Sequence, residues 1–166
     1  MTDEIVEITP ASVDDVSVVL HLIKALAEYE HLAHEVQATE DGLRATLFGA
    51  RPAAEVVLAR IGDTPVGFAV FFHNYSTFVG RPGLYLEDLF VLPEYRRRSI
   101  GRKLLAHVAA IAVARNCGRM EWAVLDWNQT AIHVYRAVSA RSMDDWTLFR
   151  LTGDDLRQLA EEGGPS

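Results

Sequence analysis

Apolar residues recur along this chain with two periods, and the change from one period to the other marks out its elements. From Glu4 to Thr9 polar and apolar positions alternate, which predicts a short strand ended by Pro10. Ser12, Asp14 and Asp15 then supply the cap and acidic first turn of a helix. That helix is expected to run to about Glu30, with Val16, Val19, Leu20, Ile23, Leu26 and Ala27 along one stripe. Thr39, Glu40 and Asp41 open a second helix that reaches about Phe48 and stops at Gly49. Glu55–Ile61 and Val66–His73 read as strands joined by the turn Gly62-Asp63-Thr64-Pro65, and Leu84–Leu92 reads as a third strand bounded by Pro93.

After Ser99 the period returns to 3.6. Leu104, Leu105, Val108, Ile111, Ala112 and Arg115 predict a helix to about Asn116, ended by Gly118. Arg119–Leu125 is a strand, Asn128–Ala137 a short helix, Asp145–Leu151 a last strand and Asp154–Glu162 a terminal helix. The tight turns early in the chain predict antiparallel pairing. The passage from Leu84 through the long helix to Leu125 predicts a right-handed crossover between parallel neighbours. The expected fold class is α/β (α+β by some labels): a mixed, twisted central sheet with helices on both faces.

At 166 residues the chain is long enough for one domain with a real core, expected to span 1–166. No apolar run reaches the roughly 18–20 residues that cross a bilayer, so no membrane is expected. The acidic start MTDEIVEITP lacks the features of a secretory signal, and the expected compartment is the cytoplasm. The net charge of −7 argues against nucleic acid, whose binding draws on Lys and Arg at phosphates. One cysteine, Cys117, excludes an internal disulfide. His21, His31, His34, His73, His107 and His133 show no close ligand spacing, so no metal is expected. Trp122, Trp127 and Trp146 fall around the last strands, where core or dimer contact is the expected use.

Against that acidic background, "LFVLPEYRRRSIGRKLL" (Leu89–Leu105) places Arg96, Arg97, Arg98, Arg102 and Lys103 between a strand and a helix. The first N–H groups of a helix have no partner inside it, and with the helix dipole they attract anions. Arginines add charge and forked donors suited to phosphate, and Gly101 lets the backbone come close. A solvated basic turn capped by Ser99 is the plainer reading. The segment is neither a P-loop nor a dinucleotide fingerprint.

The segment resembles the pyrophosphate-binding stretch of the GNAT N-acetyltransferases, written [RQ]-x-x-G-x-[GA], with Arg96, Ser99 and Gly101 at its marked positions. "LIKALAEYE", "LYLEDLFVLPEYR" and "WNQTAIHVYR" together resemble the diamine branch of that family, the spermidine/spermine and thialysine acetyltransferases. The likeness runs from Val6 to Leu151. It implies the GNAT fold, acetyl-CoA as cosubstrate, and a homodimer. It implies that backbone groups of Leu89, Phe90 and Val91 bind the pantetheine arm. The N–H groups from Arg97 through Ser99, Ile100 and Gly101 to Arg102 would hold the diphosphate, and Asn128 and Ala131 would line the same ligand. Two departures stand out. Ser99 replaces a glycine and costs about 1 kcal/mol if its φ is positive. The stretch Ala137-Val138-Ser139-Ala140 differs from the branch after Tyr135.

Glu87 and Asp88 sit side by side in the third strand, and alternation sends them to opposite faces. A charged edge strand that resists aggregation would account for them. Amine acetylation gives them a different role, because an ammonium of pKa near 10 must lose a proton before it attacks a thioester. By resemblance Glu87 is the base, directly or through water. Asp88 binds the substrate's charge, with Glu30 and Asp144 or Asp145 as further anchors and Tyr29 as a wall. Tyr135 lies two helical turns after Asn128; by resemblance it is the acid that protonates the leaving thiolate. Acetylation of another amine, such as an amino acid or aminoglycoside, and a noncatalytic CoA-binding or sensing domain are the alternatives.

Overall fold

In the computed structural model, which describes residues 5–164, five strands form one sheet in the order β1-β2-β3-β4-β5. They are β1 (Val6–Pro10), β2 (Glu55–Ile61), β3 (Thr64–Ser76), β4 (Arg81–Val91) and β5 (Met120–Trp122). Helices α1 (Val16–Tyr29) and α2 (Glu40–Leu47) fall between β1 and β2 in the chain, and α3 (Ile100–Ala114) between β4 and β5. Helices α4 (Gln129–Ala137) and α5 (Gly153–Glu162) follow the sheet. Glu4, where the first strand was expected to begin, lies outside the described residues. Contacts divide the chain into two compact units, Met1–Asn128, which holds the whole sheet, and Gln129–Ser166.

The first four strands pair antiparallel and β4 pairs with β5 in parallel; the short turns joining β2, β3 and β4 and the helical connection from β4 to β5 account for the last three of these pairings. The β4–β5 ladder is short: it joins Leu84, Leu86 and the residue between them to Met120–Trp122 and goes no further. β4 itself continues to Val91 against β3. The two parallel strands therefore part company beyond Leu86. Among the described strands, Leu89–Val91 have a ladder partner on the β3 side only.

Burial explains why these segments hold together. Val19 and Leu22 of α1 join Val56, Leu58, Phe68, Val70 and Phe90 in one buried cluster. The alternate residues Val57, Ala59 and Ala69 point the other way and are buried as well. Ile100, Leu104, Leu105 and Val108 of α3, which packs on β3 and β4, are also buried. Each such side chain contributes about 1.5–3 kcal/mol of burial free energy. Leu22 is fully buried although the stripe read from the sequence passed over it; Leu22→Ala would cost about 2–5 kcal/mol. Thr39 caps α2 as expected, its Oγ1 accepting from the Gly42 N–H at 3.1 Å. Gly67 lets β3 close on β4, since a Cβ there would stand 2.7 Å from the Phe90 carbonyl oxygen.

Two expected strands change. Arg119–Leu125 narrows to Met120–Trp122. Asp145–Leu151 forms no strand, and Trp146, Leu148 and Phe149 are exposed. The alternation is present in that segment, but alternation alone does not supply the ladder partner that a strand's N–H and C=O groups need. Among the described residues no helix is long and apolar enough to cross a membrane.

Candidate active site

The basic bend is built by two left-handed residues. Beyond β4 the chain makes a 3₁₀ turn over Pro93–Tyr95 and passes through extended Arg96. It then turns with φ of 63° at Arg97 and 59° at Ser99 before α3 begins. Left-handed residues close to right-handed ones turn successive N–H groups toward one point, which makes a concave anion site. The first intrahelical bond runs from the Lys103 N–H to the Ser99 carbonyl at 3.0 Å. The N–H groups of Ile100, Gly101 and Arg102 precede it and have no acceptor within the helix. A Cβ on Gly101 would stand 3.8 Å from Val91 Cγ2 and 3.9 Å from Leu89 Cδ2, in ordinary contact with β4. Ser99 stands at the helix N-cap position, yet its hydroxyl makes no capping bond. The plainer reading of this residue, a conventional cap, is therefore not what the structure shows. Arg97, Arg98 and Arg102 are exposed on the bend, with Arg98 stacked 5.5 Å from the Tyr95 ring centroid.

Arg96 points elsewhere. Its Nε–H donates to the Val91 carbonyl at 3.0 Å. Its guanidinium carbon lies 4.2 Å from the Tyr29 ring centroid and 5.3 Å from that of Phe90. Tyr29 in turn contacts Phe90 and Trp127, and its hydroxyl donates to Asn128 Oδ1 at 3.5 Å. Asn128 is buried. Tyr29 and Asn128, assigned on resemblance to different ligands, thus touch each other.

The acids converge. A cavity of about 390 Å³ is lined in part by Leu26, Ala27, Glu30, Glu35, Glu87 and Asp88. Strict alternation would have put Glu87 and Asp88 on opposite faces, and that expectation is corrected by a β-bulge. Val70 pairs with Asp88 while Phe71 pairs with Leu86, which leaves Glu87 as the extra residue on β4. Burial, with the neighbouring Glu87 and Glu30 charges, pushes the Asp88 carboxyl up to about 7. Burial also raises Glu30. Glu87 is exposed. Glu35, in a 3₁₀ turn after α1, was not singled out from the sequence, because nothing in its spacing ties an irregular loop residue to β4. None of the residues lining this cavity is Lys, Arg or His.

The pattern of a basic bend beside a splayed strand has a match. A family model described as "Acetyltransferase (GNAT) family" aligns with residues 20–139. The chain belongs to that family. It is therefore an acetyltransferase with the GNAT fold, as the sequence motifs implied. It is 39% identical to a thialysine N-epsilon-acetyltransferase of Bos taurus, over 93% of this chain and 97% of the relative. It is 34% identical to the L-ornithine N5-acetyltransferase NATA1 of Arabidopsis thaliana, over 90% of this chain and 85% of that one. An integron cassette protein from the mobile metagenome of V. cholerae has a similar solved structure, with a TM-score of 0.78 at 27% identity, covering 94% of this chain and 98% of the other.

In this acetyltransferase the remaining expected site residues lie in the second unit. Ala131 and Tyr135 are on α4, both partly buried. Asp145 is exposed in a turn before Trp146. Cys117 is a free, half-buried thiol. No group of His, Cys, Asp or Glu among the described residues is placed to hold a metal ion.

Proposed function

We propose that this acetyltransferase transfers the acetyl group of acetyl-CoA to a primary amine of a small cationic substrate, a diamine or polyamine or a lysine-like amino acid. The observation that carries this reading is the cavity with four carboxylates and no basic side chain. An ammonium entering it meets Glu30, Glu35, Glu87 and Asp88, and an anion is repelled. The printed names of the relatives, thialysine and ornithine acetyltransferases, agree with a cationic amine.

The residues fit acetyl-CoA. The concave bend from Arg97 to Arg102 suits a diphosphate, and the one-sided edge of Leu89–Val91 offers backbone groups to the pantetheine arm. Asn128, and Ala131 on α4, are the further cofactor contacts that the family resemblance implies. When bound, acetyl-CoA supplies an activated acetyl thioester. Ionised Asp88 holds the substrate's charge in the cavity. Exposed Glu87 takes a proton from the ammonium, directly or through water, so that the neutral amine attacks the thioester carbonyl, and releases that proton to solvent. The N–H at Leu89 donates to the oxygen on which charge develops. Tyr135 Oη provides the proton for the departing sulfur. The two units act as one acetyltransferase domain, an assignment supported by the family match that spans both.

A panel of diamines, polyamines, lysine analogues and neutral amines, scored by kcat/KM with a thiol readout, tests this reading. Cationic amines should lead by at least about tenfold. Equal use of neutral amines would refute the acidic pocket as the selector.

The protein acts as a homodimer. The exposed apolar row Trp146, Leu148 and Phe149 supports this, because such patches on soluble chains mark contact surfaces. Light scattering should give twice the chain mass, and the double change Trp146→Ser, Phe149→Ser should halve it.

A further inference from the structure

We propose that Arg96 is a positioning residue that couples occupancy of the acetyl-CoA bend to binding of the amine, through the stack Arg96–Tyr29–Glu30. The inference rests on the proposed function and adds a physical link between its two sites.

Three observations meet at this side chain. Arg96 is the residue from which the bend departs, immediately before left-handed Arg97. Its Nε–H closes a loop back to the Val91 carbonyl, at the end of the strand expected to hold pantetheine. Its guanidinium lies 4.2 Å from the Tyr29 ring centroid, and Tyr29 is the last residue of α1. The next residue, Glu30, lines the acidic cavity. Tyr29 is held on other sides by Phe90, Trp127 and the Asn128 amide.

A guanidinium over a ring is a directional contact, lost when the cation shifts by a few ångströms. Ordering of the bend fixes the Arg96 backbone. The side chain then fixes the Tyr29 ring, and with it the helix end that carries Glu30. Coupling of this kind is reciprocal: whatever factor CoA gives the amine, the amine gives CoA. The other arginines of the bend, Arg97, Arg98 and Arg102, are exposed.

Calorimetry with coenzyme A and 1,4-diaminobutane, alone and together, measures the coupling directly, because neither ligand reacts with the other. In the wild-type protein, saturating coenzyme A should tighten diamine binding by about fivefold or more. In R96M, which fills the same space without charge, the factor should fall to about one while each ligand still binds alone. R96K, which restores a cation over the ring, should recover part of the factor. Y29L, made separately, should abolish it from the amine side and serves if R96M does not fold.

An unchanged factor in R96M or Y29L, or a wild-type factor of one, overturns the inference and leaves the functional reading standing. Failure of the wild-type protein to bind either ligand brings down the functional reading, and this inference with it.

Discussion

Glu87 and Asp88 are consecutive on β4 and still face one cavity, because the bulge leaves Glu87 without a partner between the pairs Val70–Asp88 and Phe71–Leu86. One carboxylate ends up half-buried and the other exposed. In the proposed mechanism this division of environment within a single dipeptide separates binding of the amine from its deprotonation.

The first consequence is a split between kinetic constants. Asp88 must ionise to hold an ammonium, and its carboxyl is raised to about 7 by burial. KM for the amine should therefore fall as pH rises through about 7. D88N should raise that KM by at least about tenfold and flatten its pH dependence. E87Q should lower kcat by about 10²–10⁴-fold with a smaller effect on KM. Steady-state kinetics from pH 5.5 to 9 decide the matter. An E87Q enzyme that keeps full kcat throughout excludes Glu87 as the base.

The same carboxyl should appear in stability. Below the ordinary aspartyl value of 3.8, folded and unfolded chains both hold the proton and nothing is lost. Between about 4 and 7 the unfolded chain gives up its proton while Asp88 in the folded chain keeps it, so stability falls as pH rises. Above about 7 the loss is complete, and at about 1.4 kcal/mol per pH unit it reaches at most about 4 kcal/mol. Urea unfolding at pH 5 and pH 8 should show D88N gaining on wild type at the higher pH. Equal gains at both would disprove the assignment.

Ser99 carries strain in the free protein. It sits at φ 59° and ψ 14° with no capping bond to compensate. A left-handed residue with a Cβ costs about 1 kcal/mol, which glycine avoids. S99G should raise Tm by about 2–4 °C and leave KM for acetyl-CoA within about threefold, because the N–H directions are kept. A drop in Tm would mean that the serine side chain has a stabilising partner.

The pairing senses of the strands and the basic bend were legible because turn lengths, the helical crossover and the arginine cluster are local signals. Glu55–Ile61 came out with its true ends: its apolar run is bounded by turn residues on each side. The positive φ at Ser99 was foreseeable because the motif it resembles has glycine there. The bulge at Glu87 was not legible, since it depends on how β4 registers against β3. Glu35 escaped for a similar reason, being brought to the cavity by a loop rather than by a period. The stretch 145–151 shows the opposite failure: the strand pattern is there, but alternation alone does not supply a pairing partner for the backbone. The inward turn of Arg96 could not be separated by type from the three exposed arginines beside it.

Tyr135, on α4, gives the last test, because the proton it is proposed to supply is needed only after the amine has attacked. The leaving thiolate resembles that of cysteine, with a pKa near 8.5, so water can take over part of the task. Y135F keeps the ring and removes only the hydroxyl. It should lower kcat by about 10²-fold, leave the KM values within about threefold, and leave binding of coenzyme A unchanged. The deficit should shrink when the thioester is replaced by one with a more acidic thiol, which needs less help to leave. A deficit that stays constant across leaving groups would place the hydroxyl in binding or packing and remove Tyr135 from the proton path.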